Sequence, residues 1–91
     1  NTLKRKMIPI FKKNGVVRAG IFGSYARGDM KKRSDVDVLV KINNRKMSLL
    51  GFIHLENELE DALRKKIDLV EYGALKPLIK DRVLKEEIRI L

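Results

Sequence analysis

The sequence predicts an α/β (α+β) fold, a small mixed three-stranded sheet flanked by helices, formed as a single domain over residues 1–91. Segments with apolar residues at helical spacing alternate with short apolar or β-branched runs. Their order is helix, strand, short helix, strand, helix, strand, helix. The helical connections are long enough to allow at least one parallel pair of strands. With 91 residues, 44% of them hydrophobic, the chain can bury one core but is short for two ordinary domains.

The first half of the chain supplies a long helix and two strands. Apolar residues recur at helical spacing over residues 2–13, which predicts a helix with a kink or a late start at Pro9. The apolar run from Val16 to Phe22 predicts a buried strand, and residues 24–28 predict a short helical turn after it. Residues 35–42 alternate well enough to predict the second strand.

The second half is predicted to add two helices around a third strand. Apolar residues lie near one face of a helix from about Ser48, a plausible N-cap, to Arg64. A short strand is expected over residues 67–72. A last amphipathic helix is expected from Leu75 to Ile88, with proline tolerated in its first turn.

The composition restricts the chemistry that is open to the chain. There is no cysteine and a single histidine, so disulfides, thiolate catalysis, Cys-ligated metals and histidine-rich metal sites are excluded. Carboxylates, lysines and arginines remain as the candidate functional groups. No apolar run approaches the length of a membrane span, so we expect a cytoplasmic protein with no membrane partner.

The positive charge is concentrated in the first third of the sequence. Residues 1–33 carry ten Lys and Arg residues against one acid, Asp29, whereas residues 34–91 carry eleven of each sign. This basic sector could face a polyanion such as nucleic acid, nucleotide phosphates or an acidic protein. A solvated face that only aids solubility is the other interpretation.

Three aspartates are the candidate metal ligands. Side chains at positions i and i+2 of a strand share a face, so Asp35 and Asp37 project together. Two adjacent carboxylates repel each other, and a divalent cation such as Mg²⁺ is the usual way to keep both ionised. Asp68, an acid in an otherwise apolar strand, is the natural third ligand.

A second motif predicts a phosphate-binding loop. Gly23 lets the backbone approach an anion closely, and the Ser24 hydroxyl and nearby backbone N–H groups can donate hydrogen bonds. Arg27 could add a planar guanidinium to the same phosphates, or could instead pair with Asp29 or the helix end. The Gly-Lys-Ser/Thr ending of a Walker loop is absent, so the predicted phosphate-binding loop is of another type.

Together these motifs resemble a known signature. The strings FGSYARG (residues 22–28) and SDVD (34–37), with the later Asp68, are similar to the polymerase-beta-like nucleotidyltransferase superfamily. The fuller pattern resembles its minimal nucleotidyltransferase (MNT) family over essentially the whole chain. The resemblance implies the polymerase-beta-like nucleotidyltransferase fold and one nucleotidyltransferase domain.

The resemblance also implies roles for individual residues. Asp35 and Asp37 would bind two Mg²⁺ ions, and Asp68 would complete the site beside the attacking hydroxyl. Gly23 and Ser24 would bind the β- and γ-phosphates of a nucleoside triphosphate, and Arg27 is assigned to the same nucleotide. The expected chemistry is in-line attack on the α-phosphorus with pyrophosphate as the leaving group.

The partner of such a protein is implied by the same resemblance. Relatives are typically antitoxins paired with a HEPN-type RNase toxin, to which they transfer AMP from ATP at a tyrosine hydroxyl. Two alternatives stay open at this point. The chain could be a binding module that neutralises its partner sterically, or a nucleotidyltransferase acting on RNA ends or a small molecule, which the basic first third suggests. Direct nucleic-acid binding is not favoured.

Overall fold

The computed structural model describes residues 2–43 and 47–91 and confirms the predicted order of elements. The helices are α1 (Thr2–Lys13), α2 (Ser24–Arg27), α3 (Leu49–Leu63) and α4 (Pro77–Glu86), with a 3-10 turn at Tyr72–Ala74. The strands are β1 (Val16–Phe22), β2 (Val36–Ile42), β3 (Ile67–Glu71) and β4 (Ile88–Arg89). Within these described ranges, no helix is long and apolar enough to cross a membrane.

The four strands form one mixed sheet in the order β3-β2-β1-β4. β1 pairs antiparallel with β2 and with β4, whereas β2 and β3 are parallel. The long connection through α3 is what allows the parallel pair, because strands of the same direction need a crossover. The predicted mixed sheet flanked by helices is confirmed, but the prediction of three strands is wrong by one.

The fourth strand replaces the end of the predicted last helix. α4 ends at Glu86, and Glu87 turns to an extended conformation with ψ 131°. Ile88 and Arg89 then pair with Ile21 and Gly20 of β1. Ile88 fits the helical spacing of α4, but the open edge of β1 offers backbone donors and acceptors that a longer helix would leave unpaired.

The main core lies between the sheet and the helices α1 and α3. Met7 and Phe11 of α1 and Leu55 and Leu59 of α3 are fully buried there, against alternate residues of β2 such as Val38. Burial every fourth residue on the helices and every second residue on the strand matches the periods of the two structures. This face accounts for the apolar spacing that predicted the elements.

The other face of the sheet is covered by the end of α4. Glu87 lies so close to Gly20 of β1 that a Cβ on the glycine would overlap the Glu87 carboxylate. The same carboxylate accepts from Arg18 Nη2 at 3.3 Å and from the Tyr72 hydroxyl, while the Arg18 guanidinium lies 4.3 Å from the Tyr72 ring centroid. Burial and the neighbouring Glu87 raise the pKa of Tyr72 to about 12. We call these three side chains the Arg18 cluster.

Candidate active site

The parallel pairing of β2 and β3 brings the predicted acids to one end of the sheet. Asp37 lies opposite Asp68 in the strand register, and the Val36 N–H donates to the Lys66 carbonyl at 2.9 Å just before β3 begins. Asp35 immediately precedes β2. β1 ends at the same edge, since Phe22 is the register partner of Asp37.

Asp37 is the most perturbed of the three acids. Its pKa is raised, first because it is partly buried and then because of the negative charges of Asp68 and Asp35. A side-chain hydrogen bond with Asp68 adds to the rise, and the positive charge of Arg27 opposes it. Asp37 therefore interacts with both of the other predicted acids, and the repulsion that it feels is only partly offset by Arg27.

The donor set fits Mg²⁺ in chemistry, although it is not yet arranged as a ligand cage. Across residues 2–43 and 47–91, no three His, Asp or Glu side chains already stand as a metal-binding group. Asp37 and Asp68 share a hydrogen bond, whereas Asp35 acts on Asp37 only through its charge. Carboxylate oxygens at a partly open edge are the donors that Mg²⁺ takes together with phosphate oxygens and water.

Gly23 shapes the space beside these acids. Its backbone has φ 72°, in the left-handed region that favours glycine, and a Cβ there would overlap Asp37 Oδ2. Any side chain at this position would therefore be strained and would displace the central carboxylate. Ser24, half-buried, follows as the first residue of α2, and its carbonyl accepts from the Gly28 N–H at 2.9 Å.

Arg27 reaches the mouth of the site from the last position of α2. Its Nε donates to Asp29 Oδ2 at 3.1 Å and its Nη1 donates to Glu86 Oε1 at 2.9 Å. The hydrogen bond to Glu86, followed by the hydrogen bond to Asp29 and its charge, raises the pKa of Arg27. The guanidinium is exposed, so it stays reachable for an incoming anion.

Glu86 is the residue at this site that the sequence did not indicate. It follows Arg27 by 59 positions and is the last residue of α4. The Asp29 pairing was one of the alternatives weighed for Arg27, whereas the Glu86 pairing depends on where α4 docks. The only available signal was a pair of acids, Glu86 and Glu87, at the end of a basic helix.

Known proteins are similar to this chain in sequence and in fold. Residues 5–91 match the family described as polymerase beta nucleotidyltransferase. The chain belongs to this family. The family match starts within α1 and covers all four strands, so the resemblance drawn from the motifs is confirmed.

Two relatives carry a more specific name. A provisionally named protein adenylyltransferase of Methanocaldococcus jannaschii is 50% identical over 91 residues, covering 100% of this chain and 97% of the relative. Protein adenylyltransferase MntA of Thermococcus cleftensis is 46% identical over 76 residues, covering 84% of this chain and 76% of MntA. This family member is thus similar along most of its length to protein adenylyltransferases.

Solved structures confirm the predicted nucleotidyltransferase fold. A provisionally named minimal nucleotidyltransferase has a TM-score of 0.82 and 32% identity, covering 96% of this chain and 88% of that one. An MNT antitoxin in complex with a tri-AMPylated Shewanella oneidensis HEPN toxin has a TM-score of 0.75 and 20% identity, covering 99% and 70%. At 20% identity the second likeness concerns the fold alone.

Proposed function

We propose that this chain is a Mg²⁺-dependent protein adenylyltransferase that acts as an antitoxin. It transfers AMP from ATP to a tyrosine hydroxyl of a HEPN-type toxin and so silences it. The observation that carries the proposal is the pairing of Asp37 with Asp68 beside Gly23, at one edge of a polymerase beta nucleotidyltransferase fold. The names of the relatives support the choice of a protein as the acceptor.

The three aspartates have different places in this proposal. Asp35 and Asp37 would hold two Mg²⁺ ions, and Asp68 would complete the site on the side of the acceptor hydroxyl. When bound, Mg²⁺ supplies positive charge that stabilises the entering and departing oxygens of an in-line displacement. Asp37 must be ionised for this role. Its raised pKa means that the fold without a cation disfavours the ionised form, which a bound divalent ion would favour.

The phosphate chain of ATP would lie along the loop between β1 and α2. Because Gly23 has no side chain, phosphate oxygens could approach its backbone next to Asp37, and the Ser24 hydroxyl could donate to them. Arg27 would exchange its exposed contacts with Asp29 and Glu86 for the β- or γ-phosphate. An exposed ion pair contributes little, so this exchange costs little.

The reaction balances without a further reactant. The tyrosine oxygen forms a bond to the α-phosphorus of ATP, the bond from that phosphorus to the bridging α,β-oxygen breaks, and pyrophosphate leaves. The hydroxyl proton is released to water. The products are an AMP ester of tyrosine and pyrophosphate, and the residues of this chain hold the two reactants in line.

The wider expectations belong to the same proposal. Residues 1–91 would act as one nucleotidyltransferase domain, because α1, α3 and the central strands contribute to one buried core. The HEPN-type toxin would form a hetero-oligomer with this chain, in keeping with the neighbour that is an MNT antitoxin bound to a HEPN toxin. Because the proposed reaction consumes ATP, we also propose that this protein acts in the cytoplasm.

The direct test is transfer of labelled AMP. The purified chain is incubated with Mg²⁺, ATP labelled at the α-phosphate and a HEPN-type protein from the same genome, and the labelled residue is identified by mass spectrometry. Label on a toxin tyrosine is expected with the wild type. The variant Asp35→Asn/Asp37→Asn should transfer none, because it lacks the two central carboxylates.

A matched control separates loss of the site from loss of charge. Asp61→Asn/Asp81→Asn removes two exposed carboxylates, one of α3 and one of α4, and should transfer AMP at the wild-type rate. Equal transfer by the Asp35→Asn/Asp37→Asn variant would contradict the proposal. Full protection against the toxin by that variant would instead support steric neutralisation, and addition of nucleotides to RNA alone would identify RNA as the acceptor.

A further inference from the structure

Two runs of three cations flank the aspartates of the site. Each run ends two positions before one of the acids, Asp35 or Asp68. We call these six residues the basic rim: Lys31, Lys32, Arg33, Arg64, Lys65 and Lys66. Only the first run falls in the basic first third of the sequence, so the charge distribution along the chain does not indicate the rim.

The fold places the two runs on neighbouring loops. The Val36 N–H at the start of β2 donates to the Lys66 carbonyl at 2.9 Å, and Val36 is in register with Ile67. The loops that lead into β2 and β3 therefore run side by side at the acid end of the sheet. Five of the six side chains are exposed, and Lys65 is half-buried.

The rim is separate from the charges already engaged in the site. Among the described residues, the cations in salt bridges are Lys13, Arg18 and Arg27, and none belongs to the rim. Arg27 is also the cation that acts on Asp37. Apart from Lys65, which lies against Tyr25, the rim cations thus project to solvent and to whatever approaches the site.

Arg64 occupies its position at a conformational cost. It ends α3 with φ 53° and ψ 41°, the left-handed conformation in which glycine is usual. In the described part of the chain it is the one residue other than glycine with positive φ. A strained residue kept at the edge of a functional site points to a use for its side chain.

We propose that the basic rim binds an acidic segment of the acceptor protein, next to the hydroxyl that receives AMP. The inference rests on the proposed transfer to a protein and adds how the acceptor is recognised. Rim charges of this kind steer a partner of opposite charge and fix its orientation. The acidic segment would settle across both loops while the tyrosine enters between Asp68 and Gly23.

The surroundings of the rim favour an acidic protein over single-stranded RNA. Proteins that bind single-stranded RNA stack its bases on free aromatic rings. Tyr25, at the phosphate loop, is half-buried, and Lys65 Nζ lies 5.7 Å from its ring centroid. Lys65 already lies over that ring, whereas the other five rim cations are exposed and can bind carboxylates.

Binding of short labelled peptides tests the rim without the reaction. One peptide has a single tyrosine among glutamates, and a second has the tyrosine among serines. Fluorescence anisotropy without ATP or Mg²⁺ should give tighter binding of the acidic peptide, weakened by salt. The variant Arg64→Gln/Lys65→Gln/Lys66→Gln should lose about tenfold in affinity, from three rim charges of modest value each.

A control variant has the same net charge but lies at the opposite end of the sheet. Lys12, Lys41 and Lys80 are exposed and lie near the C-terminal ends of α1 and β2 or line a cavity there. Lys12→Gln/Lys41→Gln/Lys80→Gln should bind the acidic peptide within twofold of the wild type. Equal losses in the two triple variants, or equal affinity of the wild type for both peptides, would overturn the proposal.

Arg64→Gly guards against loss of folding as the explanation. Glycine relieves the left-handed strain, so the Tm should hold or rise while affinity for the acidic peptide falls about twofold. Tighter, rim-dependent binding of an oligouridylate than of the acidic peptide would assign the rim to RNA and overturn the proposal.

The proposal for the rim and the proposal for AMP transfer can be refuted independently. In the AMP transfer assay, the 64–66 variant should raise the KM for the acceptor about tenfold and leave the KM for ATP within twofold. Rim-dependent peptide binding without any AMP transfer would reject the proposed function alone. AMP transfer with an unchanged acceptor KM would reject the rim alone.

Discussion

Two consecutive glutamates at the end of α4 each bind an arginine, but Glu87 is nearly buried and Glu86 is partly exposed. Glu87, whose side chain is 5% exposed, binds Arg18 and the Tyr72 hydroxyl between the sheet and α4. Glu86 is 21% exposed and binds Arg27, which is 49% exposed, at the mouth of the site. An arginine–glutamate ion pair therefore occurs once between the sheet and α4 and once at the candidate active site.

The difference lies in what each pair would leave behind if it were broken. Removing Glu87 leaves the half-buried Arg18 guanidinium and the Tyr72 hydroxyl without their shared acceptor, and water can reach them only in part, which is costly. Removing Glu86 leaves an arginine that water can solvate, so little is lost. The first pair is suited to holding α4 on the sheet, and the second to releasing Arg27 to the phosphate that the proposed function places there.

The largest expected effect is on stability, from Glu87→Ala. We expect a loss of about 2 kcal/mol in the free energy of unfolding, or a fall of about 8–16 °C in Tm. Glu86→Ala, its neighbour in sequence, should change stability by less than about 0.5 kcal/mol. Thermal unfolding followed by circular dichroism measures both variants, and equal falls would refute the distinction between the two pairs.

The next effect is on ATP, from Arg27→Gln. Loss of a charged phosphate contact should lower kcat/KM for ATP about 10- to 100-fold while the Tm changes by less than about 3 °C. Arg27→Lys keeps the charge but loses the planar guanidinium, so its kcat/KM for ATP should lie between those of the wild type and the Gln variant. Steady-state AMP transfer gives the values, and an unchanged kcat/KM in the Gln variant would remove Arg27 from the nucleotide site.

The contrast between the two arginines also marks what the sequence could predict. Asp35, Asp37 and Gly23 stand out locally, because acids and a glycine interrupt apolar strand patterns at fixed spacing. The convergence of Asp68 follows from strand direction alone, since parallel strands start at the same edge. These features need only the period of a strand and one crossover.

The remaining features depend on how distant segments dock. Glu86 and Arg27 are separated by 59 positions, and their contact depends on where α4 lies on the sheet. Ile88 satisfies helical spacing, yet it pairs with Ile21 because the edge of β1 is open. Local periodicity predicts neither outcome. The fourth strand and the contact of Arg27 with Glu86 could therefore be found only in the structure.

A smaller effect is predicted for Asp37→Asn in the absence of ligands. Its raised pKa means that the fold disfavours the ionised carboxylate, so stability falls as pH rises through that pKa. The Asn variant escapes this loss and should have a higher Tm than the wild type at neutral pH, with the difference vanishing in acid. Mg²⁺ plus ATP should then raise the Tm of the wild type only.

Thermal unfolding from acid to neutral pH tests this prediction, with Asp81→Asn as the control for loss of one surface carboxylate. A Tm for the Asp37 variant below that of the wild type at neutral pH would mean that the carboxylate stabilises the fold. Asp37 would then be a structural residue, with its charge satisfied by partners other than a cation.

The smallest effect sharpens the comparison at the exposed pair. Glu86→Gln weakens the hold on Arg27 without removing the side chain, so Arg27 has less to give up when ATP binds. The KM for ATP should fall about twofold, equivalent to about 0.4 kcal/mol, and kcat should stay the same. Asp29→Asn, which loosens the other contact of the same guanidinium, should act in the same direction. A higher KM in both variants would show that the two carboxylates orient Arg27 toward the phosphates, and the exposed pair would then be part of the binding geometry.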